Sequence, residues 1–350
     1  MRNNSCTFSP NRQRGLTLIE LLVALALGLL ITLVALFALS MSSNGFRAVD
    51  STSAMRDKER FAIELISRVV IQAGYEDWGN PDAPLRDNEK IRDPSSDPEP
   101  DVFGWNNATY ATPSSRALST IPEIVNGGRP TDCGSIKDTS CLNGSDILVV
   151  RYQGVSTPAD VTKADNSVID CAGAGVSASN TGSLDDRAFS IFHVSKPAVA
   201  GGEASLACST YNPTTAKWVD SRPLIEGVES FQVLYGTDGV SPGVAPTSSQ
   251  DTVAERWLRA DELTVAGDAA ATRENWRRVR SIRIGLTMRG PVGSAQETKT
   301  GVNLPLGALF ESTNDVGSGL AVQADRRLRQ TSTFTIHLRN DQTNTPITSP

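Results

Sequence analysis

The chain has 350 residues, 39% of them hydrophobic and only 6% aromatic, with a formal net charge of −6. That length and apolar content suffice for one or two domains with real cores, and the abundance of Gly, Ser, Thr, Asp and Asn favours a loop-rich β protein over a helix bundle. The acid excess excludes bulk nucleic-acid binding, which needs a basic footprint, and it grows if the first fifteen residues, with Arg2, Arg12 and Arg14 and no acid, are set aside.

Residues 1–15 form a polar, basic leader ending Arg12-Gln13-Arg14-Gly15. Leu16 to Met41 is almost wholly apolar and, as a helix rising 1.5 Å per residue, spans roughly 39 Å, enough to cross the hydrocarbon core of a bilayer. The preceding arginines set the N-terminus on the cytoplasmic side and the bulk of the chain outside. Residues 42–75 continue in helical pattern. Ala62, Leu65, Ile66, Val69, Val70 and Ala73 form one stripe, charges fill the rest, and Gly74 is the expected C-cap. Ser42, Ser43, Asn44 and Gly45 weaken the junction.

Residues 76–102 are rich in Asp, Pro, Asn and Gly and read as a long loop. Strand-like runs follow at Asp146–Tyr152, Ala188–Val194, Ser205–Tyr211, Val228–Tyr235, Val279–Met288 and Thr331–Leu338, with Ile282, Ile284, Leu286 and Met288 alternating onto one face. Val253–Leu263 is expected to be a short helix.

Three readings of the N-terminus compete. A cleaved secretory signal finds a small-x-small site at Ala38-Leu39-Ser40, but the apolar run is longer than such signals carry. A signal anchor explains length and orientation and leaves Glu20 unexplained. An acid inside an apolar run costs about 2.5–3.5 kcal/mol at mid-helix and less near the end, so it needs a partner. Cleavage after Gly15 supplies one, the new amino group of Leu16.

The string Arg14-Gly15-Leu16-Thr17-Leu18-Ile19-Glu20 resembles the class III signal of type IV prepilins and pseudopilins. Carried over, the resemblance implies that Gly15 ends the leader and Leu16 becomes an N-methylated N-terminus. It makes Glu20 the acid used in assembly. Leu16 stands where Phe is commoner, and no proline interrupts Leu16–Met41; Gly28 is the obvious weak point. Arg60–Arg68 with Gln72-Ala73-Gly74-Tyr75, Ile225–Gly236 and Phe334–Asn340 are similar to segments of PilW-type minor pilins. The fold implied is α+β and pilin-like: a long N-terminal helix packed on an antiparallel β-rich head over residues 76–350. The implied partners are other minor and major pilins, met through the helix, together with prepilin peptidase and the inner membrane before assembly. The location follows as a single pass through the inner membrane and then a surface pilus. The alternatives are a minor pseudopilin of a type II secretion system and, in a different class, a membrane-anchored periplasmic enzyme or binding protein.

Cys133, Cys141, Cys171 and Cys208 lie in the exported part and read as two disulfides, with Cys133–Cys141 and Cys171–Cys208 favoured among three pairings; free buried thiols are the alternative. No metal or cofactor is expected. CxxC spacing is absent, and His193 and His337 fall in separate strands. Asp93, Asp97, Glu99 and Asp101 lack the spacing of a calcium loop. Gly239-Val240-Ser241-Pro242-Gly243 matches the nucleophile-elbow pattern, but turn chemistry, not a helix, follows it. Arg273, Arg277, Arg278 and Arg280 beside Trp276 are a candidate basic patch for an acidic partner.

Overall fold

The computed structural model describes residues 15, 17–76, 99–108, 110, 143–178, 187–195, 202–212, 217–247, 250–295, 297–298, 300–312 and 315–340. The first helix, α1, runs without interruption over Leu18–Val70. By its contacts the chain divides into two units, Met1–Asp50 and Ser51–Pro350. In the first unit α1 carries the apolar run. Ser42 and Ser43 do not break it, because Ser43 Oγ folds back onto the Ser40 carbonyl at 2.9 Å and satisfies itself within the helix.

In the second unit the remainder of α1 buries Met55, Ala62, Ile66 and Val69 at spacings of seven, four and three, one face of a 3.6-residue period. Leu65, expected in that stripe, is half-buried and lines a groove with Phe61 and Arg68. The helix ends in a turn closed by Gly74, whose φ of +67° favours glycine and whose N–H donates to the Arg151 carbonyl at 3.0 Å.

The strands are β1 (Val102–Trp105), β2 (Ile147–Gln153), β3 (Ser156–Thr157), β4 (Asp160–Ala164), β5 (Arg187–Ser195), β6 (Ser205–Asn212), β7 (Lys217–Glu226), β8 (Val228–Thr237), β9 (Arg256–Leu258), β10 (Val279–Arg289), β11 (Gly301–Asn303), β12 (Leu320–Val322) and β13 (Arg329–His337). A five-stranded sheet has the order β1-β2-β5-β6-β7 and a four-stranded sheet the order β13-β10-β8-β9; every pairing is antiparallel. Both sheets and the second half of α1 contribute to one hydrophobic core, in which Ile66, Val69, Phe189, Phe231 and Ile284 are fully buried. Each such side chain contributes about 1.5–3 kcal/mol on leaving water.

The chain passes from one sheet to the other at Gly227, the single residue between β7 and β8. Its φ is +90°, and a Cβ there would stand 2.7 Å from the Arg289 carbonyl. The sheets are then stitched by side chains acting as a strand. β9 pairs only with Tyr235–Thr237, so the β8 edge before it is open. There Asp146 N–H donates to the Phe231 carbonyl at 2.8 Å, Ser145 Oγ accepts the Phe231 N–H at 3.2 Å, and the Asp146 carboxylate accepts the Val233 N–H at 2.7 Å. Asn107 N–H binds the other carboxylate oxygen at 3.0 Å.

The expected helix over Val253–Leu263 is absent. Arg256–Leu258 instead pairs with β8, and only a single 3₁₀ turn follows at Asp261–Leu263. The helix of this region, α2, lies later at Ala269–Arg277, started by Asp268, whose carboxylate accepts the Ala271 N–H at 2.9 Å. The Asp268-Ala-Ala-Ala opening is an N-cap followed by the best helix former.

Candidate functional site

The start of α1 holds the chemistry that the sequence singles out. Thr17 precedes the helix and Glu20 stands in its first turn. Glu20 Oε2 accepts the Thr17 backbone N–H and the Thr17 hydroxyl, each at 2.9 Å, and the Glu20 N–H donates to Thr17 Oγ1 at 3.4 Å. This is a reciprocal capping box, which satisfies donors that a helix start otherwise leaves bare. The T-x-x-E spacing that signals it is present in the sequence, yet reading Glu20 only as a charge misses it. Gly15 is exposed and no atom lies within 4 Å of where its Cβ would be; Leu16 lies outside the described residues.

Beyond Glu20 no residue carries a charge until Arg47. The large apolar side chains from Leu18 to Met41 are 53–79% exposed, and an 18-residue window of α1 has mean hydropathy 2.9 with none of it buried. A surface so apolar is not stable in water and demands lipid or other helices around it. Thr32, its polar interruption, returns its hydroxyl to the Leu29 carbonyl at 2.8 Å and so presents no unsatisfied donor.

In the head, Cys171 and Cys208 are joined in a disulfide, tying the segment after β4 to β6 with 5.9 Å between Cα atoms. Cys133 and Cys141 lie outside the described residues, as do Asp93 and Asp97. Each arginine of the basic stretch around Trp276 has an acid partner. Arg273 pairs with Glu99 at 2.8 Å, Arg278 and Arg277 share Glu274 at 3.5 and 3.7 Å, and Arg280 meets buried Asp238 at 3.2 Å; the last three are largely buried, so the stretch presents little free positive surface to an acidic partner. Trp276 is a core residue, edge-on to Tyr235 at 4.7 Å. Ser241 lies in an exposed turn with no helix after it. His193 is buried, stacks on Tyr110 at 4.2 Å and reaches Ser209 Oγ at 3.2 Å; burial pushes its pKa down to about 4, so it is neutral at pH 7. His337 is exposed on β13.

The start of α1, with its lone acid and exposed apolar run, is similar to a type IV prepilin N-terminus: the prokaryotic N-terminal methylation motif matches residues 10–36. The head is PilW-like: the family described as Type IV Pilus-assembly protein W matches residues 191–340, from within β5 to just past β13. A type IV-like pilin from Thermus thermophilus is similar at 10% identity over 83% of this chain and 98% of its own, with a TM-score of 0.39. No curated protein matches the chain by sequence.

Proposed function

We propose that the chain is a minor pilin, a structural component that takes part in building a type IV pilus. The observation that carries this reading is the pairing of two signals in one chain: a methylation motif whose fifth residue after Gly15 is Glu20, and a PilW-like head. Prepilin peptidase cuts on the cytoplasmic side between Gly15 and Leu16. Residues 16–41 hold the subunit in the inner membrane in a single pass, with residues 42–75 and the head on the outer side. Assembly moves the apolar helix from lipid into a bundle of like helices, formed by other minor and major pilins. Both surroundings are apolar, so the transfer itself changes little in hydrophobic energy, and packing and charge pairing decide it.

Glu20 has the decisive part in that transfer. A carboxylate at this depth is tolerated near the membrane edge, but in the bundle it must meet a cation. The new amino group at Leu16, from the same or a neighbouring subunit, supplies the charge. Deleting the gene and scoring surface pili against secreted enzymes tests the reading. Loss or thinning of pili with secretion unchanged is expected. Intact pili with failed secretion would instead place the chain among the pseudopilins. Intact pili and intact secretion would favour a membrane-anchored binding protein or enzyme.

A further inference from the structure

We propose that β13 is a docking edge to which an extended strand from a different chain of the assembly adds. Of the four outer strands in the two main sheets, three are blunted. β1 has four residues and β9 three, while β7 carries Pro223 and two register shifts against β6. β13 has nine residues, no proline or lysine, and nine consecutive partners on β10 without a shift.

Two hydrogen bonds fix which way its backbone faces. Leu338 N–H donates to the Arg280 carbonyl at 2.9 Å and Gly290 N–H to the Leu328 carbonyl at 2.8 Å, so the even-numbered residues point their backbone at β10. Thr331, Thr333, Thr335 and His337 therefore turn N–H and C=O groups outward, and among the described residues no hydrogen bond meets them. Such a row accepts only another polypeptide strand along its length. All four side chains are exposed, with three threonines in register, a β-branched surface that suits a cross-strand partner.

The charge along the edge selects the partner. At one end Arg329 is held by Glu229 and Asp325, at 2.7 Å each, so that end is balanced. At the other, His337 and Arg339 are exposed and no described carboxylate pairs with Arg339, while Arg283, one strand in, lays its guanidinium over the Trp257 and Phe310 rings at 4.6 and 5.2 Å. A second copy paired antiparallel about Thr333 brings the basic end onto the balanced end and neutralises nothing. A strand with an acid opposite Arg339 does. The occupant is thus a neutral-to-acidic strand of another subunit.

The inference rests on the pilus reading, and hydrogen exchange separates the two. In the isolated full-length chain in detergent, the amides of Thr331, Thr333, Thr335 and His337 are expected to exchange quickly; in the chain within sheared fibres they slow by at least about tenfold. Thr335→Pro removes an outward N–H that β10 does not use, and so abolishes the slowing while the chain stays folded by its unfolding midpoint; Thr335→Ala, which keeps the N–H, preserves it. Presence in fibres with fast exchange overturns this inference alone, and absence from fibres overturns both. Slow exchange in the isolated chain, whether constant or rising with concentration, overturns it in favour of self-covering or self-pairing.

Discussion

Glu20 both closes the start of α1 onto Thr17 and stands as the lone charge within the apolar run Leu16–Met41, so one side chain serves two physical roles. The two separate by substitution. Glu20→Gln keeps a side-chain acceptor three residues after the cap and so keeps the box. Glu20→Ala removes both, at a helix cost of about 1 kcal/mol. Both variants are expected to be cleaved normally and to be depleted from fibres, measured as the ratio of chain in sheared pili to chain in membranes. A Gln variant that incorporates like the unaltered chain would assign the residue to capping alone.

The disulfide joins residues 37 apart in sequence. Replacing Cys171 and Cys208 together with serine frees that loop in the unfolded chain and is expected to cost about 2–4 kcal/mol, read from urea unfolding in detergent. Cys171 and Cys208 are both in the core, so the serines add some burial cost of their own.

Asp146 makes two connections from the five-stranded sheet to β8, by its own N–H to Phe231 and by one carboxylate oxygen to Val233, and its other carboxylate oxygen holds Asn107 beside β1 in its own sheet. Asp146→Ala leaves the Val233 and Asn107 amides without acceptors and is expected to destabilise the head by about 2–4 kcal/mol. An unfolding midpoint within error of the unaltered chain would contradict the stitching role.

His193 gives the head an acid sensitivity. Burial lowers its folded pKa to about 4, below the ordinary value near 6.5 that the unfolded chain keeps. The folded state therefore binds fewer protons between those values, and the stability present above pH 6.5 is lost as pH falls toward 4. The group's share is about 3 kcal/mol. The pH profile of His193→Gln minus that of the unaltered chain isolates it, because the carboxylates titrate in both.

The six strand-like runs between turn clusters appear as β2, β5, β6, β8, β10 and β13; β2, β5, β6 and β8 are buried on both faces, so they show as short strand-forming runs bounded by turn residues rather than by alternation. β1, β7 and β9 were not legible. β7 contains Arg222 and Pro223, tolerated because it lies at a sheet edge, and β9 is too short for a period to show. The basic stretch at Arg273–Arg280 misled because its neutralising acids, Glu99 and Asp238, stand far away in sequence. At the N-terminus the reverse held: the capping box and the apolar run are local, so the sequence alone carries them.

Processing as a prepilin leaves its mark at Leu16. Mass spectrometry of the chain isolated from membranes measures its N-terminus directly. The expected result is a mature protein beginning at Leu16 and carrying an N-methyl group. A chain beginning at Met1 would contradict processing as a prepilin, and one beginning at Met41 would mean the apolar segment is a discarded signal.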